Sequence, residues 1–482
     1  MIGVSPTVTV PSSRGKWKLL STRWWTVNDR GSAQEQGAEA TSDGRTPVVL
    51  VTGLDSEVVS RVGDALTADE PGVAAGTVLV HHDLSDVSDG RVARRMSWVD
   101  PDGRRRERTV GVKLAHGCVS CTLREDLLPL LRRLHRRSAV RRIVLTLDPI
   151  LEPERIAWAV AEVVVEGMPG FVDGPASRDV RIEATIACVA EQDWLESATG
   201  DTTLAEAGFG PVDDERTLAQ VAVGQVAFAD ALVVAGCDPA MRDAWESARL
   251  TAVLKRLAPH APIMMELPQR PATPLLVARL LAHVSPTSRR GRVDAPHDPL
   301  LRGEPPLDAD CGVRWMEFHA DRPMHPARLH DAIDALLDGV VTARGRIWLA
   351  TQSDEALWLE SAGGALQVAH GGRWLAAMSD EDINSVSLER RAMGALRWDA
   401  DHGDRHTSLV ALVHRADVNE IHAALRSACL NEVEFAAGQD FWATFDDPFG
   451  GFHADPCDDL DPPVGDVVDA VTIIDHIDPR EA

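Results

Sequence analysis

Apolar and polar positions divide the chain into two regions of different rhythm. From residue 47 to about 268, short apolar runs alternate with helical patterns. Residues 47–53 form an apolar run closed by glycine, which predicts a buried strand. Residues 76–80, 142–147, 180–189 and 231–234 read as further strands, with helices between them. Residues 92–99 and 109–114 flank Asp100-Pro101-Asp102-Gly103, a turn sequence, and predict a hairpin. Alternation of this kind predicts an α/β domain over 46–268, a mostly parallel sheet covered on both faces.

Residues 269–312 are rich in Pro, Arg and Gly and read as a linker or lid. Beyond them the rhythm changes. Strands are expected at 313–320, 346–351, 356–360 and 408–414. Helices are expected at 325–340, with Leu329, Ile333, Leu336 and Leu337 on one face, and at 418–430, with Val418, Ile421 and Leu425 aligned. That βαββαβ order over 313–455 predicts a ferredoxin-like α+β domain. Residues 1–45 read as a poorly ordered extension or an over-long gene start, and 456–482 as a disordered acidic tail.

Composition narrows the picture only in places. At 482 residues, with 44% apolar and 26% charged positions, the chain is ordinary globular protein in two or three domains. No apolar stretch is long enough to span a bilayer, and no secretory signal is evident. Seven scattered cysteines predict reduced thiols and a cytoplasmic home. Tyrosine is absent, which excludes tyrosine chemistry. A formal net charge of −25 opposes non-specific nucleic-acid binding, so any RNA contact needs a local basic patch.

The strand ending at Gly53 is where a phosphate-binding loop, G-x-x-x-x-G-K-[ST], would begin. Here the run is Gly53-Leu54-Asp55-Ser56-Glu57-Val58-Val59-Ser60. Val58 stands for the second glycine and Val59 for the lysine, while Asp55 and Glu57 add negative charge. None of the four lysines, Lys16, Lys18, Lys113 and Lys255, lies in a glycine-rich turn. The scaffold is that of a P-loop nucleotide-binding domain whose site has decayed to Gly53, Ser60 and, after the strand at 231–234, Asp238. GTP is therefore not expected as a cofactor, GTP hydrolysis is expected to be absent, and no catalytic residue is assigned.

His116-Gly117-Cys118-Val119-Ser120-Cys121-Thr122 carries the positive chemistry. Cys118 and Cys121 can point at one metal ion if the loop curls, with His116 as a third ligand. Thr122-x-x-Glu125 reads as a capping box, which puts the thiols before a helix start and favours thiolate. A redox pair and two half-buried thiols are the alternatives. The helix that follows bears Arg132, Arg133, Arg136 and Arg137, and the hairpin bears Arg104, Arg105, Arg106 and Arg108. Singly these read as solvated positions; together they form the candidate RNA-facing patch.

Gly117-Cys118-Val119-Ser120-Cys121-Thr122-Leu123-Arg124-Glu125-Asp126-Leu127 resembles the signature of the CobW-type metallochaperone GTPases. So do Arg322-Pro323-x-His325-Pro326-x-Arg328-Leu329, Gly345-Arg346-x-Trp348-Leu349-Ala350, Gly403-Asp404-Arg405 and Asp447-Pro448-Phe449 further on. The resemblance runs from about Thr46 to Phe452. It implies a P-loop-like domain followed by a CobW-type C-terminal domain, and zinc held weakly at Cys118, Cys121 and His116. The departures are Val59, Ser120 for a central cysteine, Ala235-Gly236-Cys237-Asp238 for N-K-x-D, and Thr146 and Pro149 for a Glu and a Gly. Such erosion resembles an actinobacterial branch, the ribosome hibernation factor-recruiting proteins. That branch implies an adaptor active under zinc limitation, with a hibernation factor and the ribosome as partners and Arg132, Arg133, Arg136 and Arg137 as the ribosome contact. The alternatives are a GTP-driven zinc chaperone or insertase and a thiol redox protein.

Overall fold

The computed structural model describes residues 44–68, 75–100, 102–114, 119, 122–210, 214–238 and 243–449. Two sheets organise them. The first has eight strands: β1 (Thr46–Gly53), β2 (Thr77–Asp83), β3 (Arg91–Val99), β4 (Arg105–Lys113), β5 (Arg142–Thr146), β6 (Val180–Ala190), β7 (Ala231–Ala235) and β8 (Ile263–Glu266). Their order is β8-β7-β6-β1-β5-β2-β3-β4. The run from β8 to β2 is parallel, and the β3–β4 hairpin closes the edge in antiparallel pairing.

β1 is central because it is apolar at successive positions. Val48 and Leu50 enter one core with Ile143 and Leu145; Val49 and Val51 enter the opposite core with Val144 and Ile186. A strand with both faces buried needs such a continuous run. On the flanks lie α1 (Ser56–Thr67), α2 (Leu128–His135), α3 (Pro153–Glu162), α4 (Leu218–Ala227), α5 (Ala244–Leu257) and α6 (Pro274–Ala282). The parallel strands end together, so the turn after β1 and the segment after β7 lie at the same end of the sheet.

The second sheet comprises β9 (Arg314–Ala320), β10 (Val340–Trp348), β11 (Glu355–Ala362), β12 (Ala365–Arg373) and β13 (Thr407–Val413), ordered β9-β13-β10-β11-β12 and antiparallel throughout. Helices α7 (Pro326–Ile333) and α8 (Val418–Ala428) cover one face through Leu329, Ile333, Ile421 and Leu425. Strand β12 is one more than the βαββαβ pattern supplied. The helix expected over 325–340 is also shorter. It gives way after Ile333 to a tight turn, and β10 starts at Val340 rather than near residue 346. Gly339 makes the break: its φ is +74°, and a Cβ there would lie 2.5 Å from the Ala416 nitrogen. Only glycine enters that conformation without strain.

A third core joins the two sheets. Val313, Val341, Ala362 and Leu412 pack with Ala187, Val189 and Val253. The stretch read as a linker contributes α6 and then lies along β10, where Arg346 donates to the Pro296 carbonyl at 2.8 Å and Arg344 to that of Leu300 at 2.6 Å.

Candidate functional site

At the end of β1 the chain turns through Leu54 and Asp55 and is helical from Ser56. A phosphate-binding loop needs a longer arc of non-helical backbone whose N–H groups face inward. Here those N–H groups are used internally. Asp55 caps α1, its carboxylate accepting from the Glu57 nitrogen at 2.9 Å and the Val58 nitrogen at 3.1 Å. The Val59 nitrogen donates to the Asp55 carbonyl at 3.1 Å. An intrinsic carboxylate thus sits where an anion would be drawn by the helix start. Val59 is buried against the turn, and a Cβ on Gly53 would meet Val59 Cγ2 at 3.1 Å and the Cys188 carbonyl at 2.6 Å. Gly53 therefore serves close packing. Ser60 is the fifth helical residue, about 6 Å along the axis from the helix start. The residues present do not fit a triphosphate.

On the guanine side, Asp238 is exposed just past β7, at the same end of the sheet as Gly53. The neighbouring backbone is occupied: Gly236 donates to the Glu266 carbonyl at 2.7 Å, and Cys237 to the Glu191 carboxylate at 3.1 Å. Glu266, buried, holds Arg61 of α1 through two bonds of 3.1 and 3.2 Å and also accepts from the Ala272 nitrogen. This clamp ties α1 to β8. The structure brings Gly53, Ser60 and Asp238 to one end of the sheet, with packing and ion pairing around them.

His116, Cys118 and Cys121 lie outside the described residues. Among the described residues no group of three His, Cys, Asp or Glu side chains could hold a metal ion. The segment after the motif is well defined. Thr122–Leu127 forms a wide helical turn that leads into α2, and from it Asp126 points inward. Its carboxylate bonds His82 Nε2 at 2.7 Å on one oxygen and pairs with Arg94 on the other. Next to it, His81 Nδ1 is 3.1 Å from the Thr146 carbonyl, and burial pulls the His81 ring below its usual pKa. Sequence analysis passed over His81 and His82 and gave Asp126 no role beyond its place in the signature. The signal was faint: two histidines in succession on an apolar strand, and one acid inside a helical run.

The helix expected to bear four arginines ends at His135, so Arg132 and Arg133 lie in its last turn, Arg136 at its cap and Arg137 beyond it, and the four divide. Arg132 is buried, bonded to Asp179 at 2.6 Å and to the carbonyls of Val172 at 2.8 Å and Gly174 at 3.2 Å. Arg136 lies over the Phe171 ring, 3.7 Å from its centroid, and donates to the Gly170 carbonyl at 2.5 Å. Arg133 and Arg137 are exposed, on the opposite side, toward the β3–β4 hairpin. The four-arginine contact surface is corrected on this point: Arg132 faces the interior, because its helical phase continues that of Leu128 and Leu131.

Two family models match. Residues 95–265 match the CobW/HypB/UreG nucleotide-binding domain, and 313–429 the cobalamin synthesis protein CobW C-terminal domain. The zinc chaperone Rv0106 of Mycobacterium tuberculosis is 46% identical over 422 residues, 88% of this chain and 97% of that protein. This chain belongs to the CobW family. A more distant likeness, 23% over 344 residues and 70% of each chain, is to the zinc-regulated GTPase metalloprotein activator 1 of Dictyostelium discoideum. Among solved structures, the Zn(II)-bound YjiA GTPase of E. coli aligns over 80% of this chain and 99% of its own, at 13% identity and a TM-score of 0.33. Among the described residues of this CobW-family chain, no helix is long and apolar enough to cross a membrane.

A cavity of about 310 Å³ lies at the seam of the two CobW domains. Glu154, in the first turn of α3, lines it, and burial pushes its carboxyl up to about 7. Glu360 of β11 lines the same space; burial raises its carboxyl too, and its charge adds to the rise at Glu154. Arg289 and Arg344 oppose that effect at both.

Proposed function

We propose that this protein is a zinc carrier of the CobW type that takes up and releases its ion at Cys118 and Cys121, assisted by His116, without turning over GTP. The observation that carries the reading is the 46% identity, over 88% of the chain, to a protein named as a zinc chaperone. The retained thiol pair in Gly117-Cys118-Val119-Ser120-Cys121-Thr122 supplies donors of the right chemistry. Zinc is the cargo. Thiolates take it with loss of protons, and a site with Ser120 in place of a third thiol holds it less tightly than a four-ligand shell. Weak holding suits hand-over to a recipient with more ligands.

The turn after β1 supports the second half of the reading. With Asp55 capping α1 and Val59 in the core, delivery would be driven by relative affinity rather than by nucleotide hydrolysis. The adaptor reading, in which the protein recruits a hibernation factor to the ribosome, has less behind it, since Arg132 is interior and Arg136 is stacked on Phe171.

The test is competition for zinc with a chromogenic chelator, alongside equilibrium dialysis of GTP. The reading expects one zinc lost in the Cys118→Ser, Cys121→Ser double variant and no saturable GTP binding by the wild type. Unchanged zinc binding in the double variant would remove the carrier assignment. GTP turnover abolished by Ser60→Ala would restore the nucleotide-driven alternative.

A further inference from the structure

At the hairpin edge of the first sheet, a cleft of about 140 Å³ opens between β3, β4 and α2. Four arginines line it: Arg94 and Arg108 from the hairpin, Arg133 from the last turn of α2 and Arg137 from just past its end. The rest of the lining is apolar, with Met96 and Val110 on the strands, and no acidic residue contributes. Register explains the convergence. Met96 pairs with Arg108 and Arg94 with Val110 across the hairpin, so these side chains share the face turned to α2. Arg133 lies in the last turn of α2 and Arg137 just past the Arg136 cap, and both line the cleft.

We propose that this cleft binds a phosphate group of a compact, low-molecular-weight anion. Neighbouring arginines have carboxylate partners: Arg91 with Asp89, Arg105 with Asp64, Arg106 with Asp100 and Arg142 with Glu183. Among the described residues Arg133 and Arg137 have none, although the chain has 74 acidic residues to 49 basic ones. Gathered cations repel one another, so leaving them unpartnered costs stability unless an anion completes the set. The guanidinium forks of Arg133 and Arg137 match the several oxygens of one phosphate. The frame is stiff. Arg94 is held by Asp126, and Arg132, one residue before Arg133, is locked into the interior by Asp179. The net charge of −25 repels a long polyanion along most of its length but leaves a small phosphate to the local field. That favours the compact ligand over RNA.

The experiment titrates the full chain with inorganic pyrophosphate in one arm and glycerol 3-phosphate in the other, by calorimetry and by the arginine Nε–H signals in NMR. Saturable binding in either arm is expected, and the arm that binds distinguishes free from esterified phosphate. It should be weakened about tenfold or more by Arg133→Gln with Arg137→Gln, and reduced as salt rises. Arg137→Lys keeps the charge but not the fork and should weaken binding by less, which keeps the test readable should the double variant unfold. No binding in either arm overturns the proposal. So does binding that is unchanged in the folded double variant, or binding of an oligouridylate that pyrophosphate does not displace.

Discussion

At the carboxyl end of β1, the start of α1 is filled by its own chain, whereas at the hairpin edge of the same sheet a cleft is lined by arginines and left open. Both places could meet a phosphate, and they differ in what the protein has put there. The first has a carboxylate on the helix start and a valine in the core; the second has guanidinium groups over an apolar floor. The sheet tolerates either kind of edge, since it is held by Val48–Val51 and their neighbours and not by the loop at its end.

The sharpest way to probe this contrast uses adjacent residues on α2. Arg132→Ala should cost about 3 kcal/mol or more, because Asp179 and three carbonyls lose a buried partner. Arg133→Ala should change stability by no more than about 0.5 kcal/mol. Urea midpoints for the pair measure the gap, and equal midpoints would break the division between interior and cleft. Placing a lysine just past the turn after β1 comes next. Val59→Lys should destabilise by about 2 kcal/mol or more, since the ammonium enters an apolar core. It should also fail to create GTP binding, checked with a fluorescent GTP analogue, because α1 still begins at Ser56 and Asp55 still caps it.

A smaller effect is expected at the cap itself. Asp55→Ala should cost about 1 kcal/mol in thermal or urea unfolding, the usual loss when an N-cap carboxylate is removed. Smallest is Glu154, a second carboxylate in a first helical turn, but one facing a cavity. Its carboxyl rises from 4.5 to about 7 in the folded state. The folded protein therefore holds a proton that the unfolded chain has released. That contribution to stability is complete below 4.5 and is lost as pH climbs through about 7. Glu154→Gln should flatten that part of the stability–pH curve and gain less than about 1 kcal/mol above pH 7, since the side chain keeps partial exposure. A variant whose curve keeps the wild-type slope would place the titration elsewhere.

Much of the fold was legible in the chain. The apolar run ending at Gly53 gave β1, Asp100-Pro101-Asp102-Gly103 marked the hairpin turn, and the alternation of strands with helices gave the parallel sheet. The helix over 325–340 was read too long because Leu336, Leu337 and Val340 continue its phase. What stops it is the approach of Ala416 to Gly339, a contact between residues far apart in sequence. After β1 the absence of a lysine was visible at once. The capping role of Asp55 was readable only as misplaced charge, because a cap is defined by where the helix starts.

The sequence by itself determined that β1 is buried on both faces and that no lysine follows Gly53, for these depend only on which residues stand next to one another. It also set the excess of acid over base. The tertiary structure alone decided which arginines are interior and which are available. A buried guanidinium must have its donors satisfied, and for Arg132 the acceptors come from Val165, Val172, Gly174 and Asp179, more than thirty residues away. No local pattern carries that information. Arg133 and Arg137 share the cleft with Arg94 and Arg108 only because the hairpin folds back along α2 and sets its charged face against the helix.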